Sequence, residues 1–331
     1  MVCLFRICVK LCPGAKAEAR PGRHDRKYRS EMRRTMKFIK DILKGVVIGV
    51  ANAIPGVSGG TMMVSMGVYD DIIFCVTHIF KQLKKSVMIL LPYVIGMAVG
   101  IVGLAYAIEW LMAPEHIPMQ TSLVFIGLIL GGIPAIWQHL KGKKMGISHG
   151  LVFLVFFLAI IAMEAFGGSG KDVVLSANPV MLIKLFGVGV IASATMVIPG
   201  VSGSMMLMIM GYYNPVLHAI KDIVSALKDG QWGVFLENCI PMIPFGLGVL
   251  LGIFAIAKVI EFLLEKAEGI TYCAIMGLVI ASPVVILMRA YKDGYAGDFT
   301  PGKILTCLIA LAVGTAIALL LGKPDPQESE Q

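Results

Sequence analysis

Two apolar stretches of the chain are interrupted by the same five residues, Pro-Gly-Val-Ser-Gly. "AIPGVSGGTMM" begins at Ala53 and "VIPGVSGSMML" at Val197, 144 residues later. Proline at 55 and 199 lacks a backbone donor and ends a helical arm, while Gly56 and Gly200, with Gly59 and Gly203, permit unusual backbone angles. Ser58 and Ser202 are then good N-caps for a second arm. The product is a helix N-terminus within an apolar segment, made once near Ser58, Gly59, Gly60 and Thr61 and again at Ser202, Gly203 and Ser204. The unpaired N–H groups of such an end carry partial positive charge and bind phosphate or carboxylate groups.

Other residues define competing chemistries. Gly-Val-Ser-Gly resembles the Gly-x-Ser-Gly of intramembrane rhomboid proteases, whose serine needs a histidine on another helix. His78, His116, His139, His149 and His218 all fall at expected helix ends or loops, so no catalytic residue is assigned. Lipid-phosphate phosphatase chemistry meets the same objection. Seven cysteines form no Cys-x-x-Cys pair, and no metal ligand cluster or cofactor motif is present. Arg289 is the only arginine after residue 34; it suits phosphate, or it anchors a helix end at the interface. Glu109 and Glu261 could hold a coupling ion, proton or sodium, as could Asp70, which is replaced by Asn214 in the second copy.

The elements that must position these residues are membrane helices. Of the residues 57% are apolar and 15% charged, and the mean hydropathy is +0.82, which excludes an ordinary soluble domain. Spanning helices are expected at 86–112, 121–139, 150–166, 240–264, 270–290 and 304–322. The net charge of +8 gathers ahead of the first membrane segment, which fits a membrane surface and not nucleic acid. Residues 1–35 lack the apolar core of a signal peptide and are expected to be a disordered cytoplasmic tail. "MKFIKDILKG", from Met36, itself looks like a natural beginning. Residues 323–331 form a polar C-terminal tail.

The match at offset 144 continues through Gly67 and Gly211, Tyr69 and Tyr213. "LPYVIGMAVGIVGLAYAIEWL" then matches "IPFGLGVLLGIFAIAKVIEFL", pairing Pro92 with Pro244, Gly96 with Gly248 and Glu109 with Glu261. Two repeats are therefore expected, 36–170 and 171–322, each a broken segment plus three spanning helices. If the broken segment spans, "KQLKK" and "KGKK" both lie outside, against the positive-inside rule. If it turns back, both join the basic N-terminus in the cytoplasm and the second repeat is inverted. The expected fold is thus an all-α polytopic membrane protein of two inverted repeats, each with a re-entrant broken-helix hairpin. The second arm is expected to run as one helix from Ser58 to Asp70.

"ANAIPGVSGGTMMVSMGVYDDII" with "IPGVSGSMMLMIMGYY" resembles the bacterial polyprenyl-phosphate transporter family over about residues 36–322. The resemblance implies a flippase of the cytoplasmic membrane that returns undecaprenyl phosphate to the inner leaflet for cell-envelope synthesis. Membrane lipids are its surroundings, and a homo-oligomer is compatible with it. It places phosphate at Pro55, Ser58, Gly59, Gly60, Thr61, Pro199, Ser202, Gly203 and Ser204, with the adaptable methionines beside them suited to a polyprenyl chain. The residues alone also admit a transporter or channel for another phospholipid or small anion, an intramembrane hydrolase, or a non-catalytic assembly factor.

Overall fold

A computed structural model describes residues 23–53, 58–113, 116–143, 145–168, 170–295 and 300–322. Pro55 and Gly56 lie outside the described residues, as do the side chains of 23–34, 53, 102–109 and 112, Glu109 among them. Every regular element among the described residues is a helix: α1 (Arg23–Ala53), α2 (Gly59–Ser65), α3 (Tyr69–Thr77), α4 (Leu83–Met112), α5 (Pro118–Leu140) and α6 (Ile147–Phe166), then α7 (Pro179–Val197), α8 (Gly203–Met210), α9 (Tyr213–Asp229), α10 (Trp232–Lys292) and α11 (Pro301–Leu321). Residues 1–40 and 41–331 are separate units. In the first, the chain is helical from Arg23, inside the stretch expected to be disordered, because its Arg, Lys, Glu and Met residues are good helix formers.

Among the described residues six helices are long and apolar enough to cross a membrane: α4, α5, α6, α7, α10 and α11. The expected pair 240–264 and 270–290 forms the two helical arms of α10, which meet at Ala267, where the backbone is not helical (φ −144°, ψ 49°). The connection "EKAEG" is made mostly of helix formers and contains no proline, so the break between the two arms is confined to one residue. The arm before the second break is α7. At 19 residues, α7 is about 28 Å long, close to a full hydrocarbon core of about 30 Å.

The arms after the breaks are shorter than expected. The helix begun at Gly59 ends at Ser65, not at Asp70, and the chain bends 115° between α2 and α3. Gly67 is the cause, because its φ of +63° stops the helix, and the Val68 N–H folds back on the Met63 carbonyl at 3.0 Å. The second copy ends in the same way, with Gly211 at φ +77° and the Tyr212 N–H on the Leu207 carbonyl at 2.9 Å.

Glycine seams hold the long helices together. Apolar surface gives little net attraction between helices in lipid, so close backbone approach has to supply it. A Cβ at Gly45 of α1 would stand 2.5 Å from the Tyr93 carbonyl oxygen of α4, and one at Gly96 would overlap the Ile42 carbonyl. The α7–α10 seam repeats this, with Gly189 on the Phe245 carbonyl and Gly248 on that of Phe186. Gly248→Leu is therefore expected to abolish monodisperse protein on size exclusion in detergent. Gly246→Leu, with nothing within 4 Å of its Cβ position, should leave it unchanged.

The last helix of each series packs on the other series. Gly127 and Gly131 of α5 lie against Leu311, Thr315 and Ala318 of α11, and Gly277 in the second arm of α10 lies on the Phe153 carbonyl of α6. Between these pairs, α5 and α10 share a core of Ile129, Ile136, Ile275, Met276 and Val279, which also buries Met62 and Met66 of the first short arm.

Candidate functional site

Ser58 is buried at 3% exposure and has extended backbone (φ −93°, ψ 126°); its Oγ accepts the Thr61 N–H at 3.4 Å, so it caps α2. Thr61 is fully buried and joins the two copies. Its Oγ1 accepts the Gly200 N–H at 2.6 Å and lies 3.3 Å from Ser282 Oγ, which donates to the Leu278 carbonyl at 3.1 Å. With the Ser282 proton so engaged, the Thr61 hydroxyl is the donor between the two. A Cβ at Gly60 would stand 2.8 Å from the Val197 carbonyl oxygen. The Tyr69 hydroxyl also donates to that carbonyl, at 3.3 Å. The first short arm is thus docked on the second break, where Gly200 takes φ +82°.

The second copy is built differently. Ser202 holds the extended geometry of a cap (φ −101°, ψ 125°), but its hydroxyl pairs with that of Ser204 at 2.7 Å and caps nothing. The first-turn N–H groups of α8 therefore lack the side-chain cap that Thr61 has in α2. They border a cavity of about 250 Å³ whose polar lining comes from both copies: Asn52, Gly59, Ser193, Ser202, Gly203 and Ser204. Met196, Phe245 and Val249 supply apolar wall, and no charged side chain is among the lining residues.

Two of the polar lining residues, Asn52 and Ser193, were not singled out from the sequence. Asn52 stands three residues before Pro55, and its amide N–H donates to the Ile48 carbonyl at 3.1 Å. Its signal was position, a lone amide in an apolar run beside the motif. Ser193 is the repeat partner of Gly49 and reads as a packing residue, which it also is, since Gly252 approaches its hydroxyl.

Arg289 does not line this cavity. Its Nε and Nη2 donate to Glu164 Oε2 of α6 at 2.9 and 2.7 Å, and Nη2 lies 3.1 Å from the Met205 sulfur of α8. Lys292 Nζ donates to the Glu164 carbonyl oxygen at 3.1 Å and stands 3.6 Å from its carboxylate. Arg289, considered from the sequence as a phosphate ligand or an interface anchor, is thus ion-paired with a carboxylate buried at 6% exposure. Glu164 was missed, although it is the only charged residue between Lys144 and Lys171.

Of the residues considered for ion coupling, the structure brings Asp70 and Glu261 onto one cavity of about 350 Å³, with His139, Glu265, Glu268 and Tyr272. Glu261 accepts from the Thr77 hydroxyl at 2.8 Å and Lys258 at 2.8 Å, and lies 3.1 Å from His78 Nδ1. Asp70 accepts the Tyr272 hydroxyl, whose ring stacks on His139 at 4.3 Å. In the second copy Asn214 donates to Asp172 at 3.0 Å, so a carboxylate returns there from a different segment. Among the described residues no group of His, Cys, Asp and Glu is arranged to hold a metal. The Ser58 and Ser202 hydroxyls engage the Thr61 N–H and Ser204, not a histidine.

These features define a class: an all-helical, multi-pass membrane protein in which two interrupted helices meet around an uncharged cavity with polar groups set in an apolar wall. Within that class the chain belongs to the undecaprenyl phosphate translocase-like family (VCA0040-like), which matches residues 48–300 and 231–331. It is 29% identical over 288 residues to a polyprenyl-phosphate transporter of Staphylococcus aureus, covering 86% of this chain and 95% of the relative. It is 27% identical over 264 residues to a polyprenyl-phosphate transporter of Vibrio cholerae, covering 75% and 77%. No solved structure matches the chain.

Proposed function

We propose that this protein is a transporter, not an enzyme, that returns undecaprenyl phosphate from the outer to the inner leaflet of the bacterial cytoplasmic membrane. Both relatives are named for polyprenyl phosphate. The observation that carries the reading is the meeting of the two broken-helix ends around a cavity whose apolar wall carries an amide, hydroxyls and glycine backbone and no charge. A full charge fixed in the bilayer is costly, whereas N–H dipoles and hydroxyls solvate a phosphate without one. The polyprenyl tail stays in lipid and along Met196 and Phe245.

Alternating access follows from rocking of two inverted, re-entrant repeats, with the N-terminus cytoplasmic. The 115° bend after the first short arm and the shared order of short and long helices support that architecture. Asp70 and Glu261, on one cavity, are the candidates to couple a proton or sodium ion.

The test is movement of undecaprenyl phosphate between leaflets of proteoliposomes. The combined variant Ser58→Ala, Gly59→Leu and Ser202→Ala should lose it, since it removes a cap and a cavity hydroxyl and drives a side chain into Asn52. Wild-type transport by that variant would remove the site. A second reading, transport of a small anion, is favoured by the fact that N–H groups select charge more than tail. It predicts that inorganic phosphate competes as well as the lipid does.

A further inference from the structure

We propose that Glu164, Arg289 and Lys292 form a second site for a phosphate monoester, in which the Glu164 carboxylate occupies the cations until an incoming headgroup displaces it. The inference rests on the reading that the substrate is a lipid phosphate. Two cations converge on one carboxylate here, through Arg289 at 2.7 Å and Lys292 at 3.6 Å, so the group carries an excess positive charge. A phosphate oxygen pair presents the guanidinium with the same fork of acceptors that a carboxylate does.

Exposure gives the direction of approach. The Glu164 side chain is 7% exposed and that of Arg289 20%, but that of Lys292 is 51%. Lys292 is the last residue of α10 and Glu164 stands two residues from the end of α6. The group therefore lies at the ends of two candidate spans, where lipid headgroups reside, with its lysine outermost.

The site is tied to the central cavity by one helix. Met205 touches Arg289, and on the same short helix Gly203, Ser204 and Leu207 line the cavity. A headgroup that draws the guanidinium away from Glu164 also releases it from Met205, and so alters what holds α8 beside the cavity.

The experiment compares full-length wild type, Glu164→Gln, Lys292→Ala and the double variant Glu164→Gln/Arg289→Gln in nanodiscs, with undecaprenyl phosphate and inorganic phosphate as separate probes. Removing the internal competitor should tighten undecaprenyl phosphate by about tenfold, the worth of one released charge-assisted hydrogen bond. The double variant should lose that gain, and Lys292→Ala should weaken binding. A parallel gain for inorganic phosphate assigns the site to the headgroup alone; a gain for the lipid only assigns it to headgroup and tail together. Unchanged or weaker binding by a Glu164→Gln protein with an intact melting transition overturns the proposal. If that variant does not fold, unchanged affinity in Lys292→Ala overturns it. Should inorganic phosphate respond to Glu164→Gln while no form binds the lipid, the transport reading fails and the anion site stands. Should the lipid move and the cavity variant block it while Glu164→Gln does nothing, only the second site falls.

Discussion

Gly200→Val is expected to reduce leaflet-to-leaflet transport to background. Gly200 has φ +82°, a Cβ there would stand 2.7 Å from the Leu278 carbonyl oxygen, and its N–H is the donor to Thr61. A β-branched residue in that backbone region costs about 1–3 kcal/mol, and pushing the break off Thr61 leaves a buried donor and acceptor unpaired at about 1–3 kcal/mol more. Both costs fall where the first short arm meets the second break. Gly230→Val is the control, because Gly230 has φ +69° but nothing within 4 Å; it should lower the melting temperature slightly and transport normally. Equal losses in both variants would mean that the contact with Leu278 and Thr61 is unimportant.

Arg289→Leu is expected to produce the largest loss of stability of any single side-chain truncation outside the glycine seams. It strands Glu164, buried at 6% exposure, with Lys292 as its remaining partner at 3.6 Å. Breaking a buried pair from one side costs about 3–5 kcal/mol, whereas removing both partners is often nearly neutral. The melting temperature in detergent should therefore fall sharply in Arg289→Leu and recover in Glu164→Leu/Arg289→Leu. A double variant no more stable than the single would show that the pair is not what holds α6 to α10.

The parts legible in the sequence were those written in local chemistry. Ser58 reads as a cap because it stands between a Pro-Gly break and an apolar helical run, and its hydroxyl accepts the Thr61 N–H. The long apolar runs read as helices because length and hydropathy suffice. What escaped depended on partners far along the chain. Glu164 and Arg289 are 125 residues apart, and each alone looks like an interfacial charge. Ser202 has the same local sequence as Ser58, yet its hydroxyl turns to Ser204, a residue the first copy lacks. Gly67 and Gly211 were seen as repeat partners but not as stops, because a glycine inside an apolar run gives no sign of its φ until the chain folds back. The boundary at Ala267 was legible for the same reason as the long runs: the polar connection 265–269 separates two apolar stretches, and the backbone leaves the helix there (φ −144°, ψ 49°).

The crossed packing of the final helices bears on how the chain matures as it leaves the ribosome. Gly127 and Gly131 of α5 pack on α11, whose Gly314 sits against the Val124 carbonyl. During synthesis the first half waits in the bilayer with that seam open until the last helix, Pro301–Leu321, is inserted. A chain stopped before Pro301 is thus an unfinished assembly in both halves, and membrane quality-control proteases should clear it as fast as one stopped at mid-length.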